Sequence, residues 1–347
     1  MVTARDDATA ALREIAYLLE RSLQPTYRVK AFRTAASVLD GLTDADVEGR
    51  VAAGTLTELP GIGDVTAGVV AEAAAGGEPE YLRRLREESG GQLTAGGGEL
   101  RALLRGDLHT HSDWSDGGSS IREMAEAARN LGHDYAALTD HSPRLTVAHG
   151  LTAERLLQQL GVVEALNDDL APFRILTGIE VDILDDGTLD QDPDLLSRLD
   201  IVVASVHSKL RMPPAAMTPR LVAAVANPAV DVLGHCTGRL VLGRGRPESE
   251  FDAEIVFEAC RQFGVAVEIN SRPERLDPPR RLLRTAVQTG CLFSVDTDAH
   301  APGQLEWQPY GCERAQECGV DPARVVNTWP RSDVMDWGRR TRSWRSP

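Results

Sequence analysis

Two pairs of ligand-type residues stand at alternate positions, His109-Thr110-His111 and Asp298-Ala299-His300. In an extended strand residues i and i+2 face the same side, so each pair offers two donors in one direction. Between the pairs fall Asp116, His141, Glu180, His207 and His235. Mixed imidazole and carboxylate donors suit zinc, manganese or iron rather than magnesium or calcium alone. If these nine residues meet, the chemistry they offer is that of a metal cluster. A lone histidine at a strand end is ordinarily a satisfied polar residue, but nine ligand-type residues following successive strands are not accounted for in that way. His133 follows a helix and His149 sits in a loop, so neither is assigned to the cluster.

The elements that would gather these residues begin at Arg105. Short apolar strands end at Leu108, Leu138, Val181, Ala204, Leu233, Ile269 and Ser294, with helices such as Ser119 to Leu131, Thr152 to Leu170 and Glu250 to Phe263 between them. Such alternation implies parallel strands with helices packed outside. Seven units over about 200 residues suffice to close a barrel. The expected fold is α/β, a distorted (β/α)7 TIM-like barrel over residues 105–347. In a parallel barrel every strand's carboxyl end opens on one face, which brings the nine residues together despite their separation.

The first 90 residues read differently. Apolar residues recur at helical spacing over Thr9 to Ser22 and Val29 to Leu39, and further helices are predicted over Asp44 to Ala53 and Val65 to Ala75. The last of these follows Leu59-Pro60-Gly61-Ile62-Gly63. Glu88 to Glu99 is Gly-rich. The reading is a small all-α domain over 1–90, a Gly-rich linker over 91–104 and the barrel beyond, in line with two domains for 347 residues.

Composition bounds the function. Hydrophobic residues at 42% and charged residues at 26% exclude wholesale disorder. No apolar run approaches a membrane span, and Met1 to Asp7 leads into no apolar signal core. Cys236, Cys260, Cys291, Cys312 and Cys318 form no Cys-x-x-Cys pair, which fits a reducing compartment and a cytoplasmic location and offers no metal ligand. The net charge of −15 opposes a dedicated nucleic-acid coat. Residues 1–100 carry 10 basic and 16 acidic side chains, a balance of −6, and Asp64 follows the Gly-x-Gly turn. Any DNA binding there should be weak and salt-sensitive.

The order His109-x-His111, Asp116, Thr139-Asp140-His141, Glu180, Val206-His207, Gly234-His235 and Asp298-Ala299-His300 resembles the PHP (polymerase and histidinol phosphatase) superfamily. Gly234-His235-Cys236-Thr237-Gly238-Arg239-Leu240 and Glu268-Ile269-Asn270-Ser271-Arg272-Pro273-Glu274-Arg275-Leu276-Asp277 are similar to the PHP domain of bacterial family X DNA polymerases. Ala31-Phe32-Arg33-Thr34-Ala35-Ala36-Ser37-Val38 and Leu59 to Gly63 resemble the lyase-type helix-hairpin-helix domain that opens those polymerases.

This resemblance implies three divalent ions, zinc, manganese or iron. One would be held by His109, His111, Glu180 and Asp298, a second by Glu180, His207 and His235, and a third by Asp116, His141 and His300. Glu180, Asp298, His207, Lys209 and Arg239 would be catalytic, with a metal-acidified water as nucleophile. Lys209, Arg239, Arg272 and Arg275 would clamp phosphate. Gly61, Ile62 and Gly63 would present backbone amides to DNA phosphates, and Lys30 a cation to a 5′ phosphate. The Gly-rich junction leaves no room for a polymerase palm, so no polymerase activity is expected. The lyase lysine position falls on Val69, which predicts no deoxyribose-phosphate lyase activity.

Two activities fit these expectations: DNA end or damage processing, as a 3′–5′ exonuclease, 3′-phosphatase or abasic-site endonuclease, and hydrolysis of a small phosphorylated metabolite of the histidinol-phosphate type. A binding-only repair scaffold would lack ligands, and all nine positions are filled.

Overall fold

A computed structural model of the chain, which describes residues 3–345, separates it into two units, Met1–Gln92 and Leu93–Pro347. The first contains helices α1 (Ala4–Arg21), α2 (Thr26–Asp40), α3 (Asp44–Ala53), α4 (Asp64–Ala74) and α5 (Glu80–Ser89). Thr3 with Asp6 and Thr43 with Asp46 form capping boxes that satisfy the open amides at the starts of α1 and α3. Leu12, Ile15 and Leu19 of α1 share a core with Phe32 and Leu39, Val69 and Val70, and Leu82 and Leu85. Helix α5 was not foreseen from the sequence. Its apolar signal is little more than Leu82 and Leu85, three residues apart in a charged segment, and these two bury.

The second unit opens with α6 (Gly98–Leu103) and continues β1 (Gly106–Thr110), α7 (Ile121–Asn130), β2 (Tyr135–Leu138), α8 (Ala153–Leu170), β3 (Arg174–Asp182), α9 (Pro193–Leu196), β4 (Ile201–Ser205), α10 (Pro214–Val225), β5 (Val232–Leu233), α11 (Ala253–Phe263), β6 (Ala266–Asn270), α12 (Arg280–Thr289), β7 (Leu292–Asp296), α13 (Gln308–Cys318) and α14 (Arg331–Arg345). The seven strands pair in sequence order, each parallel to the next. A parallel bridge between Thr110 and Ala299, and bonds from Thr297 Oγ1 to Asp107 (2.6 Å) and from the Leu108 amide to Asp296 (2.8 Å), bring β7 to β1 and nearly close the barrel. Strands β1, β2, β4 and β6 are buried along their whole length, as expected when helices cover a parallel sheet.

The linker expected over 91–104 needs correction. Residues 98–103 are helical, and Leu100 and Leu104 enter the barrel core. A side chain at Gly97, whose φ is +80°, would overlap the backbone of Glu313. The glycine is there for close packing on α13 as well as for the left-handed turn. The last described element is α14, and Ser346 and Pro347 lie outside the described residues.

Candidate metal centre

The carboxyl ends of the strands deliver the histidines. His109 lies on β1 and His111 just after it, His141 follows β2, His207 follows β4, His235 follows β5 and His300 follows β7. Their rings form a circuit: His109 to His111 at 5.2 Å between centroids, His111 to His300 at 4.2 Å and to His141 at 4.5 Å, His141 to His207 at 5.2 Å, His207 to His235 at 5.3 Å and His235 to His109 at 5.9 Å.

Inside the circuit stands Glu180, the antepenultimate residue of β3 and only 1% exposed. Its Oε2 lies 3.3 Å from His109 Nε2, 3.6 Å from His111 Nε2 and 2.9 Å from His141 Nδ1. Its Oε1 lies 3.3 Å from His207 Nε2 and 2.9 Å from His235 Nε2. Asp298 Oδ1 is 3.4 Å from His111 Nε2. Asp116 Oδ1 is 3.5 Å from His141 Nε2 and 3.3 Å from His300 Nε2. All nine ligand-type residues are therefore in one cluster, which opens outward through Asp116, His300 and His207 while Glu180, His109, His111, His235 and Asp298 are buried.

These nitrogens and oxygens come close without bonding one another. His109 Nε2, both ring nitrogens of His111, His207 and His235, His141 Nδ1 and both oxygens of Glu180 are buried with no hydrogen-bond partner. Unsatisfied buried polar atoms each cost about 1–3 kcal/mol, so a cluster of them requires a ligand that meets them all. Convergent lone pairs from imidazoles and carboxylates fit divalent cations. The sets close enough to share an ion are His111, Asp116, His141 and His300; His109, His111 and Glu180; and His141, Glu180 and His207. These overlap the three expected sets, except that His111 reaches toward two of them, Asp298 is missing from the first and His141 stands where His235 was assigned.

Charge agrees with this reading. Burial alone would raise the pKa of Glu180, but His141, His207 and His109 outweigh it and hold the carboxylate well below its usual range. Asp298 is likewise held low against burial, chiefly by Arg275. Burial pushes His111 down to about 3 and, with Arg275 adding, His235 down to about 4, leaving both neutral and able to donate a lone pair. Asp298 adopts a left-handed backbone, φ +53°, uncommon for a non-glycine residue and of the kind that functional sites hold in place.

Sequence reasoning gave no role to several carboxylates that support the ligands. Glu268 Oε1 lies 2.6 Å from His109 Nδ1, and its other oxygen accepts the His235 amide at 2.5 Å. Asp182 accepts the His207 amide at 3.1 Å. Asp140 accepts Ser112 Oγ, Ser115 Oγ and Gln159 Nε2 at 2.5–2.7 Å. The available signal was an acidic residue inside an otherwise apolar strand, as in Ala-Val-Glu-Ile-Asn of β6.

The four expected phosphate clamps separate. Arg275 Nε donates to Asp298 Oδ2 at 3.0 Å while its buried Nη1 has no partner. Arg272 Nη1 lies 3.0 Å from His300 Nδ1 and donates to the Asp298 carbonyl at 3.1 Å. Both reach the cluster. Arg239 does not, because it donates to the carbonyls of Arg275 and Leu276 and so supports the loop that carries Arg275. Lys209 is 64% exposed and paired with Asp185. His133 is buried beside Gln308, His149 is exposed in its loop, and all five cysteines are free, buried and absent from the metal-binding sets found among the described residues.

In the helical unit, Gly61 has φ +96°, and a Cβ there would come within 2.8 Å of Thr34 Cγ2. Two of the amides expected to meet DNA are occupied: Ile62 N–H donates to Leu59 O at 3.1 Å and Gly63 N–H to Thr66 Oγ1 at 2.9 Å. Ile62 is buried in the core, Lys30 is exposed, and Val69 is core. Among the described residues no helix is long and apolar enough to cross a membrane.

Comparison with known proteins places these features. Residues 107–272 match the PHP domain family and residues 4–79 a helix-hairpin-helix domain family. The DNA polymerase/3′-5′ exonuclease PolX of Bacillus subtilis is 45% identical over 237 residues, 68% of this chain but 41% of that protein. The chain thus spans less than half of that relative. A probable phosphatase of Thermoanaerobacter sp. is 30% identical over 64% of this chain and 89% of its own length. A histidinol phosphate phosphatase of Lactococcus lactis, solved with zinc, L-histidinol and phosphate, aligns at 16% identity and a TM-score of 0.40 over 70% of this chain and 94% of its own, too distant a likeness to bear on substrate.

Proposed function

The chain belongs to the PHP-domain family, and on that premise we propose that it is a metal-dependent phosphoesterase whose three-ion centre is organised around Glu180 and processes DNA ends or damaged DNA. The observation that carries the reading is the buried Glu180 carboxylate ringed by five imidazoles with unsatisfied nitrogens. His109, His111, Glu180 and Asp298 would hold one ion, Glu180 with His207, His235 and His141 a second, and Asp116, His141 and His300 a third. When bound, zinc, manganese or iron supplies Lewis-acid stabilisation of phosphoryl oxygens and lowers the pKa of the attacking water.

The protein's own residues do the positioning. Arg275 offers a buried guanidinium nitrogen without a partner beside Asp298, and Arg272 flanks His300, so a phosphoryl group entering the cluster would meet two cations. Glu268 holds the His109 ring so that Nε2 faces Glu180. The helix-hairpin-helix match and the similarity to an exonuclease-bearing polymerase support DNA as substrate. With 41% of that relative spanned, polymerase activity is not proposed. Val69 in place of a lysine argues against a lyase step.

A second reading, a small-molecule phosphomonoesterase, is favoured by the match to most of the Thermoanaerobacter phosphatase and by the net charge of −15. The test is hydrolysis of a 3′-labelled oligonucleotide, histidinol phosphate and p-nitrophenyl phosphate by manganese- or zinc-loaded protein, with Glu180→Ala as control. Shortening or dephosphorylation of the oligonucleotide that disappears in the variant supports DNA processing. Activity on histidinol phosphate alone moves the protein to the second reading.

A further inference from the structure

Arg220, on α10, is a charged side chain with no exposure. The carboxylate it faces, Asp185, stands 3.9 Å away, farther than a hydrogen-bonded ion pair. Burying a guanidinium costs several kcal/mol unless its donors are met, and here they are met by backbone carbonyls. Nε donates to Leu184 O at 2.8 Å, Nη2 to Ile183 O, and Nη1 to Ser208 O at 3.0 Å. One planar fork therefore joins the segment after β3 to the segment after β4.

Both segments end in the metal centre. Ile183 and Leu184 follow Asp182, whose carboxylate accepts the His207 amide, and Ser208 is the next residue after His207. Gly187, in the same turn, approaches α10 so closely that a Cβ would come within 2.7 Å of the Arg220 carbonyl, so the turn lies directly on the helix that bears the fork. His207 itself makes no hydrogen bond through either ring nitrogen. The direction of its Nε2 toward Glu180 at 3.3 Å thus depends on how its backbone, and the Asp182 carboxylate 3.4 Å from its Nδ1, are held.

We infer that Arg220 is the positioning residue for His207, setting the backbone from which that imidazole reaches the ion shared with Glu180. The inference rests on the reading of His207 as a metal ligand. Lysine cannot replace the fork, since its three donors radiate from one atom and cannot span carbonyls on two segments.

The test is a double-variant cycle read by cobalt(II) binding, using calorimetry and visible absorption on metal-free full-length protein: wild type, Arg220→Lys, His207→Ala and both together. The expected result is that Arg220→Lys weakens one class of cobalt site about tenfold, the scale for losing a residue that orients a ligand, and leaves the other classes unchanged. The double variant should then bind as His207→Ala does alone. Additive losses, or wild-type binding by Arg220→Lys, overturn the inference while leaving the metal reading intact. Failure of wild type to bind cobalt overturns the metal reading, and this inference with it. Urea unfolding of Arg220→Lys and Arg220→Gln guards the result: loss of the folded barrel in both would make the fork a folding element and contradict a positioning role.

Discussion

Glu268 Oε1 lies 2.6 Å from Nδ1 of His109, and neither side chain is exposed. The pairing spends one ring nitrogen on the protein and leaves Nε2 for the centre, so the carboxylate fixes both the orientation and the tautomer of the ligand. Glu268→Gln keeps the volume and weakens the acceptor. Metal affinity measured by calorimetry should fall by about tenfold to a hundredfold, the range for losing such a supporting partner. An unchanged affinity would mean that His109 is oriented by packing alone.

Proton release on metal loading should be measurable at pH 7. Burial works against protonation of His141, yet Glu180 and Asp116 beside it push its pKa up to about 10 in the metal-free protein. Because this exceeds the ordinary value of about 6.5, the protonated ring contributes stability that is full below pH 6.5 and lost as pH rises through about 10. A cation needs the lone pair and must displace the proton. Calorimetry in buffers of different ionisation enthalpy should report at least the one proton of His141 released at pH 7, with His109 and His207, also raised by the carboxylates beside them, adding to it. His111 and His235, pushed down to about 3 and 4, release none there, but their contribution to stability is lost as pH falls below 6.5 toward those values.

Arg275→Gln should impair the reaction more than it impairs metal binding. It removes the buried donor that has no partner, along with the cation that chiefly holds the Asp298 pKa down. We expect kcat/KM on a phosphate ester to fall roughly a hundredfold, or about 2.7 kcal/mol, with a matching weakening of inhibition by inorganic phosphate. Equal losses in metal content and rate would assign Arg275 to holding Asp298 alone.

Gly61→Ala tests the helical unit. The positive φ and the Thr34 methyl 2.8 Å from the added Cβ should together destabilise that unit by about 1–3 kcal/mol, read as an earlier urea transition by circular dichroism. If the unit also carries DNA, the variant's affinity for an oligonucleotide at low salt should drop while hydrolysis of p-nitrophenyl phosphate stays at the wild-type rate.

The legible part of the centre was the part that follows from strand ends. His109, His111, His141, His207, His235 and His300 could be grouped because parallel strands open on one face, whatever the register. Glu268, Asp182 and Arg220 could not. Their roles depend on which residue of a neighbouring strand or helix lies opposite, and Arg220 is separated from its partner Ile183 by 37 residues. A basic residue near a ligand in sequence can turn either way, and here Lys209 turns to Asp185 and Arg239 to a backbone carbonyl. The stretch around Gly97 was read as a linker from its glycines, one of which serves close packing on α13.

The most direct test of the account is the metal content of purified protein, with Glu180→Gln alongside, by mass spectrometry after loading with zinc or manganese. The account predicts close to three ions per wild-type chain, loss of the ions that Glu180 helps to hold, and loss of phosphoesterase activity together with them. Wild-type metal content and activity in Glu180→Gln would contradict the placing of that carboxylate at the centre of the site.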